Sequence, residues 1–327
     1  MVFPSSDTNQ VRYRAGARVV FLGSPEFAVP SLRELAEHFH VVEVITQPDR
    51  PAGRGRQIQE PPVKRAALEL GLPVWQPERL RGKEAVEHLR ALRPDCGVVV
   101  AYGEILRKEI LEIPPKGFLN VHASLLPRYR GASPVAAAIL NGDSETGVTV
   151  MLLDEGMDTG PILAQDTTPI EPSDTRGSLE ARLAVLGSDL IREVVPAWLA
   201  GGLRPEPQDH SRATLTKPLT REDGRIEWTR PASYLERLCR AMDPWPGAYT
   251  HWEGGLLKVW RADAPETDVL VEPGVVATVG SSVVVGTGKG VLRLLTVQPE
   301  GRPPMPVQDF VRGRPQFIGA KLSTRGT

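Results

Sequence analysis

The stretch RVVFLGSPEFAVPSLRELAEHFHVVEVIT, residues 18–46, reads as strand, helix, strand. RVVFLG (18–23) is a short apolar run closed by a glycine, the pattern of a strand buried on both faces. Behind it Leu32, Leu35, Ala36 and Phe39 recur at i, i+3, i+4 and i+7, which marks one face of a helix. VVEVIT (41–46) is the second strand. The alternation returns with CGVVVA (96–101), GFLNVHASL (117–125) and GVTVMLLD (147–154). A long helical stretch from Leu179 to Leu199 then carries Leu183, Leu186, Leu190, Val194 and Trp198 as its buried stripe. Short apolar strands alternating with amphipathic helices predict an α/β domain, an open and mostly parallel sheet with helices on both faces, over residues 17–203.

Outside that domain the composition changes. Residues 204–220 are rich in Pro, Thr and polar side chains without periodicity and read as a linker. One helix (234–242) and the runs AYTHWEG, LLKVWRA, GVVATVG, SVVVGTG and GVLRLLTVQPEG follow, so residues 221–318 predict a small β-barrel. Trp245, Trp252 and Trp260 are expected in its core. Residues 319–327 read as a tail. Residues 1–16 lack an apolar core segment and read as a disordered lead-in, not a signal peptide.

A chain of 327 residues suits two domains, and 41% apolar content supplies a core for each. Thirty-nine basic against forty acidic residues exclude a wholly basic nucleic-acid coat and leave room for a local patch. Two distant cysteines, Cys96 and Cys239, exclude a disulfide scaffold and a Cys-based zinc site, and fit a cytoplasmic location. No apolar run reaches the ~18 residues of a membrane span. GSPEF carries one glycine where the dinucleotide fingerprint needs three, so it reads as an ordinary tight turn. No phosphate-loop, HExxH or GxSxG motif occurs.

The sharpest local feature is Asn120-Val121-His122-Ala123-Ser124. On a strand Asn120 and His122 point the same way, near the C-terminal strand ends where open α/β sheets bind ligands. An amide donor beside an imidazole suits a developing oxyanion. Asp158, in the loop after the next strand, is placed to orient or charge that imidazole. Residue types alone leave this reading level with a structural Asn and a His satisfied by backbone.

NVHASLLPRYRGASP (120–134), followed by GVTVMLLDEGMDTG (147–160), resembles the signature of the folate-dependent formyltransferases, Asn-x-His-x-Ser-Leu-Leu-Pro with a later Asp. Ala123 stands where Gly is common in that family. The resemblance implies a Rossmann-like first domain, an OB-like barrel, and Asn120, His122 and Asp158 as catalytic residues. It also implies 10-formyltetrahydrofolate as formyl donor, lying along Ser124, Leu125, Leu126, Pro127, Ala101, Tyr102, Asp154 and Gly156, with no metal. The loop TQPDRPAGRGRQIQEPPVKR (46–65), DPWPGA (243–248) and KVW (258–260) resemble the members that formylate methionyl initiator tRNA. Sugar-nucleotide members share the core motif and a DPWPGA-like segment, so the loop is the better discriminator. Arg50, Arg54, Arg56 and Lys64 become candidate tRNA contacts, because guanidinium groups bind phosphate and stack on bases. Residues 221–318 carry no excess charge. An amino-sugar acceptor and a non-catalytic RNA-binding protein are the rival readings. Neither a membrane nor an obligate protein partner is expected.

Overall fold

Strand β1 (Arg18–Gly23) sends Val19 and Phe21 into one apolar cluster and Val20 and Leu22 into another. That alternation requires cover on both faces of the sheet, and helices supply it. The computed structural model describes residues 16–52 and 57–324. After β1 come α1 (Val29–His38), β2 (His40–Ile45), β3 (Arg50–Ala52), β4 (Gln57–Gln59), α2 (Pro62–Glu69), β5 (Val74–Trp75), α3 (Gly82–Leu92) and β6 (Cys96–Val100). Then follow α4 (Lys108–Leu111), β7 (Phe118–His122), β8 (Arg130–Gly131), α5 (Pro134–Asn141), β9 (Glu145–Leu152), β10 (Ile162–Pro169), α6 (Arg176–Leu199) and β11 (Leu215–Thr216).

The main sheet runs β10-β9-β7-β6-β1-β2-β5. Its strands from β5 to β7 are parallel, whereas β9 pairs antiparallel to β7 and β10 antiparallel to β9. Leu32 and Leu35 of α1, Ala66 and Ala67 of α2, and Leu190 and Val194 of α6 cover one face. Leu89 of α3 and Ile110 of α4 cover the other. Two-sided burial explains the unbroken apolar runs. β10 shows no such run because its side chains are exposed or half-buried at the sheet edge.

The chain forms two compact units. Among the described residues, the first gathers 16–131, 145–169 and 180–216; the second gathers 132–144, 170–179 and 217–324. The first unit therefore extends past residue 203 into the stretch expected as a linker. Gln208 and Thr214 bond into it, and β11 pairs with β8.

In the second unit α7 (Ala232–Ala241) precedes β12 (Ala248–Trp252), β13 (Gly255–Asp263), β14 (Val276–Val279), β15 (Ser282–Gly286), β16 (Val291–Pro299), β17 (Met305–Pro306) and α8 (Val307–Arg312). The strands order as β12-β13-β16-β15-β14, with β17 also on β16. Residues 319–323, expected as part of a tail, bridge the two edges. Gly319 N donates to Val276 O (2.8 Å), and His251 and Ser323 exchange backbone bonds of 2.9 and 3.0 Å. An edge strand exposes unpaired donors and acceptors, and this segment pairs both edges at once. Trp252 stacks edge-on against Phe310 and Phe317 in the core. Trp245 departs from expectation. Its side chain is 52% exposed, held between Pro244 and Pro246 in a turn outside the strands.

Removing the chain after Ile318 leaves the edges of β12 and β14 unpaired. Calorimetry and size exclusion should then show the second unit losing its cooperative transition and the chain associating. An unchanged melting profile would make the closing segment dispensable.

Candidate active site

β7 ends at His122, with Phe118, Asn120 and His122 on one face. Asn120 pairs with Val99 of β6 and Met151 of β9, so the backbone holds it from both sides. Asn120 is 8% exposed and His122 is 7% exposed. The Asn120 side chain has no hydrogen-bond partner among the described residues.

His122 is oriented from outside its strand. Its Nε2 lies 2.9 Å from the carbonyl of Tyr129. A carbonyl only accepts, so Nε2 carries the hydrogen and the neutral ring keeps its lone pair on Nδ1. Nδ1 faces Asp158 Oδ2 at 3.7 Å. That carboxylate oxygen in turn accepts a 2.7 Å bond from the Gly131 backbone N–H. A proton arriving on Nδ1 finds a negative charge already fixed beside it.

Three of the five non-glycine residues with positive φ among the described residues lie in these loops: Ala101 (48°), Tyr129 (58°) and Asp158 (54°). Each such conformation costs on the order of 1–3 kcal/mol and persists only where neighbours enforce it. Tyr129 is held by its N–H on Thr214 Oγ1 (2.8 Å) and by the Arg128 guanidinium 4.8 Å above its ring. Gly131 has φ near +100°, and a Cβ there would fall 2.3 Å from the Thr216 carbonyl. Tyr129, Gly131 and Thr214 therefore support the site. Tyr129 and Gly131 act through backbone atoms, which leave no signature in the sequence.

The turn 124–127 holds itself together. Ser124 Oγ donates to Arg128 O (2.7 Å), Leu126 N donates to Thr149 Oγ1 (3.1 Å), and Gln165 donates to Leu126 O (2.9 Å). Ser124 and Leu126 are buried, Leu125 and Pro127 half-buried. Asp154 caps its own loop by accepting from Gly156 N and Thr159 Oγ1. Ala101 is exposed, whereas Tyr102 is buried and its hydroxyl has no partner among the described residues. Burial, and then the charge of Glu104, pushes that phenol far above its ordinary value, so it remains a neutral donor.

Among the candidate tRNA contacts Arg50 is exposed and lies 3.8 Å from exposed Glu78. Lys64 is clamped between Asp49 (2.6 Å) and Glu60 (2.8 Å). The Gln76 amide and the Lys64 ammonium hold the Asp49 carboxyl below its usual range, and the Asp49 and Glu60 carboxylates raise Lys64. Lys64 thus keeps its charge with two acids already beside it. Arg54 and Arg56 lie outside the described residues. Among those residues, metal-capable side chains gather at Glu34, Glu37 and His38 on α1, not at the strand ends. No described helix is long and apolar enough to cross a membrane.

Residues 17–195 match the formyl transferase model, and residues 218–315 match that of the formyl transferase C-terminal domain. The chain belongs to the formyl transferase family. It is 55% identical over 308 residues to the methionyl-tRNA formyltransferase of Roseiflexus sp. (strain RS-1), spanning 93% of this chain and 95% of that protein. The enzyme of the same name from Myxococcus xanthus is 49% identical over 310 residues, covering 94% and 99%. Solved structures share the fold at low identity. An N-formyltransferase from Helicobacter canadensis, crystallised with folinic acid and dTDP-3-aminofucose, superposes with a TM-score of 0.62 at 17% identity, covering 86% of this chain and 98% of that one. HypX from Aquifex aeolicus with tetrahydrofolic acid gives 0.59 at 19% identity, over 90% and 46%.

If the unpartnered Asn120 amide donates to an oxygen on which charge develops, its loss is felt in the transition state. Asn120→Ala should lower kcat by about 10²–10³ while KM for either substrate changes little. A change confined to KM would make Asn120 a binding residue instead.

Proposed function

We infer that this chain transfers a formyl group from 10-formyltetrahydrofolate to the α-amine of methionyl initiator tRNA. The observation that carries the chemistry is the His122–Asp158 pair with Nε2 tied to a backbone carbonyl, beside a free amide at Asn120. Long relatives named methionyl-tRNA formyltransferase support the choice of acceptor, because their similarity runs through both units.

The chemistry follows from those atoms. The methionyl amine attacks the formyl carbon, a C–N bond forms, and the carbonyl electrons move to oxygen. Asn120 donates to that oxygen as it becomes negative, which stabilises the transition state by about 2.7–4 kcal/mol. His122 Nδ1 accepts the proton that the attacking amine must lose, and Asp158 stabilises the resulting imidazolium. Collapse breaks the bond to N10 of the folate, and the imidazolium returns the proton to that nitrogen. The ring therefore shuttles one proton and ends neutral.

For the folate, the accessible groups are Ala101, the half-buried Leu125 and Pro127, and the exposed loop of Asp154 and Gly156. Ser124, Leu126 and Tyr102 stand behind them as buried supports. For the tRNA, the loop of Arg50, Arg54 and Arg56 is the contact in the first unit, and residues 221–318 supply a second surface. Lys64 serves that loop by bracing it against Asp49 and Glu60. The reaction takes place in the cytoplasm, where charged tRNA is made.

A radiolabelled formyl-transfer assay offering charged initiator tRNA and amino-sugar nucleotides separates the acceptors. Label should enter methionyl-tRNA alone. Label in the amino sugar would transfer the chain to the other branch, and label in neither would leave an RNA-binding protein. Repeating the tRNA arm with Arg50→Ala over rising salt should show a salt slope shallower by about one unit. An unchanged slope would return Arg50 to ordinary solvated surface.

A further inference from the structure

Asp158 holds its position opposite His122 with a backbone in the left-handed region. A side chain from the aperiodic segment 204–216 bonds to the backbone of that loop. Gln208 is 5% exposed, and its Nε2 donates to two carbonyls of the loop, Asp158 O at 2.9 Å and Gly160 O at 2.7 Å. Its Oε1 accepts both Arg130 Nε (3.1 Å) and Arg130 Nη2 (2.6 Å). A guanidinium only donates and a carbonyl only accepts, so the amide has one orientation that satisfies all four contacts. Arg130 is itself 5% exposed, lies next to Gly131, and makes no ion pair among the described residues. Its charge acts on Gln208 and on the acceptor nitrogen of His210 (3.1 Å).

We propose that Gln208, clamped by Arg130, is a positioning residue for the reaction: it fixes the Asp158 loop so that the carboxylate meets both Gly131 N–H and His122 Nδ1. The two strands of this arrangement meet at consecutive residues. Arg130 orients Gln208, Gln208 holds the Asp158 carbonyl, and the Gly131 N–H donates to the Asp158 carboxylate. A carboxamide is required at 208. A carboxylate there would pair with Arg130 equally well but would present oxygen to two carbonyl oxygens, leaving the loop unheld and repelled.

The proposal rests on the formyl-transfer reading above, and the test separates the two. Gln208→Glu keeps the side-chain volume and the contact to Arg130 while removing both donated bonds; Gln208→Met removes them without adding charge. Formylation of charged initiator tRNA is measured for each variant, and hydrogen–deuterium exchange of the Gly131 amide is followed in the same full-length proteins. With Asp158 displaced, kcat should fall by about 10²-fold, since misplacing a catalytic group by about 1 Å has that effect. KM for folate and for tRNA should stay within a factor of about two, because uniform binding is untouched. The Gly131 amide should lose protection in both variants. Wild-type kcat in Gln208→Glu or in a folded Gln208→Met overturns the proposal, as does a fall in kcat with Gly131 protection intact. If the wild type formylates no tRNA, the functional reading fails, while Gly131 exchange still reports whether Gln208 holds Asp158.

Discussion

The contact between His122 Nε2 and the Tyr129 carbonyl decides which nitrogen of the ring is left for chemistry. With that oxygen accepting, the lone pair falls on Nδ1, and Nδ1 looks at a carboxylate across 3.7 Å. Without it the ring could turn or change tautomer, and Asp158 would face a hydrogen or a carbon instead. The rest of the first unit is arranged so that this contact forms. β7 presents the ring at the sheet end, flanked by β6 and β9. Tyr129 turns its carbonyl back by adopting φ near +58°, and Thr214 holds it there.

The strained backbones of Tyr129 and Asp158 are held by hydrogen bonds from Thr214 and Gln208. Gly131 is needed for its backbone approach to Thr216 and for the N–H it offers Asp158. The sheet beneath is built differently, from Val and Leu side chains buried on both faces. Rigid packing fixes the positions of the strand ends, and the polar loops convert those positions into an oriented amide, imidazole and carboxylate. The barrel applies the same economy to its edges, joining both through residues 319–323.

Much of this was legible in the residues. The strand–helix–strand reading of 18–46 and the shared face of Asn120 and His122 follow from side-chain periodicity, and periodicity governs burial in a two-sided sheet. β10 was not legible, because an edge strand with exposed side chains has no apolar pattern to read. Nor was the role of 204–216. Gln208 and Thr214 act through single hydrogen bonds from a segment without secondary-structure rhythm, so composition marks it only as a connector. The closing segment 319–323 pairs by backbone atoms, which any sequence supplies. Trp245 illustrates the opposite limit, since its residue type favours burial but its prolines place it in an exposed turn.

Nitrogen NMR of the protein labelled with ¹⁵N at its six histidines tests the central claim most directly. The His122 signals are assigned by their disappearance in His122→Asn, and spectra are taken where the ring is neutral. The account predicts a protonated Nε2 with its hydrogen bonded to a carbonyl, and a bare, pyridine-like Nδ1. A hydrogen found on Nδ1 in the neutral ring would contradict it, because the nitrogen assigned to take the amine's proton would already hold one.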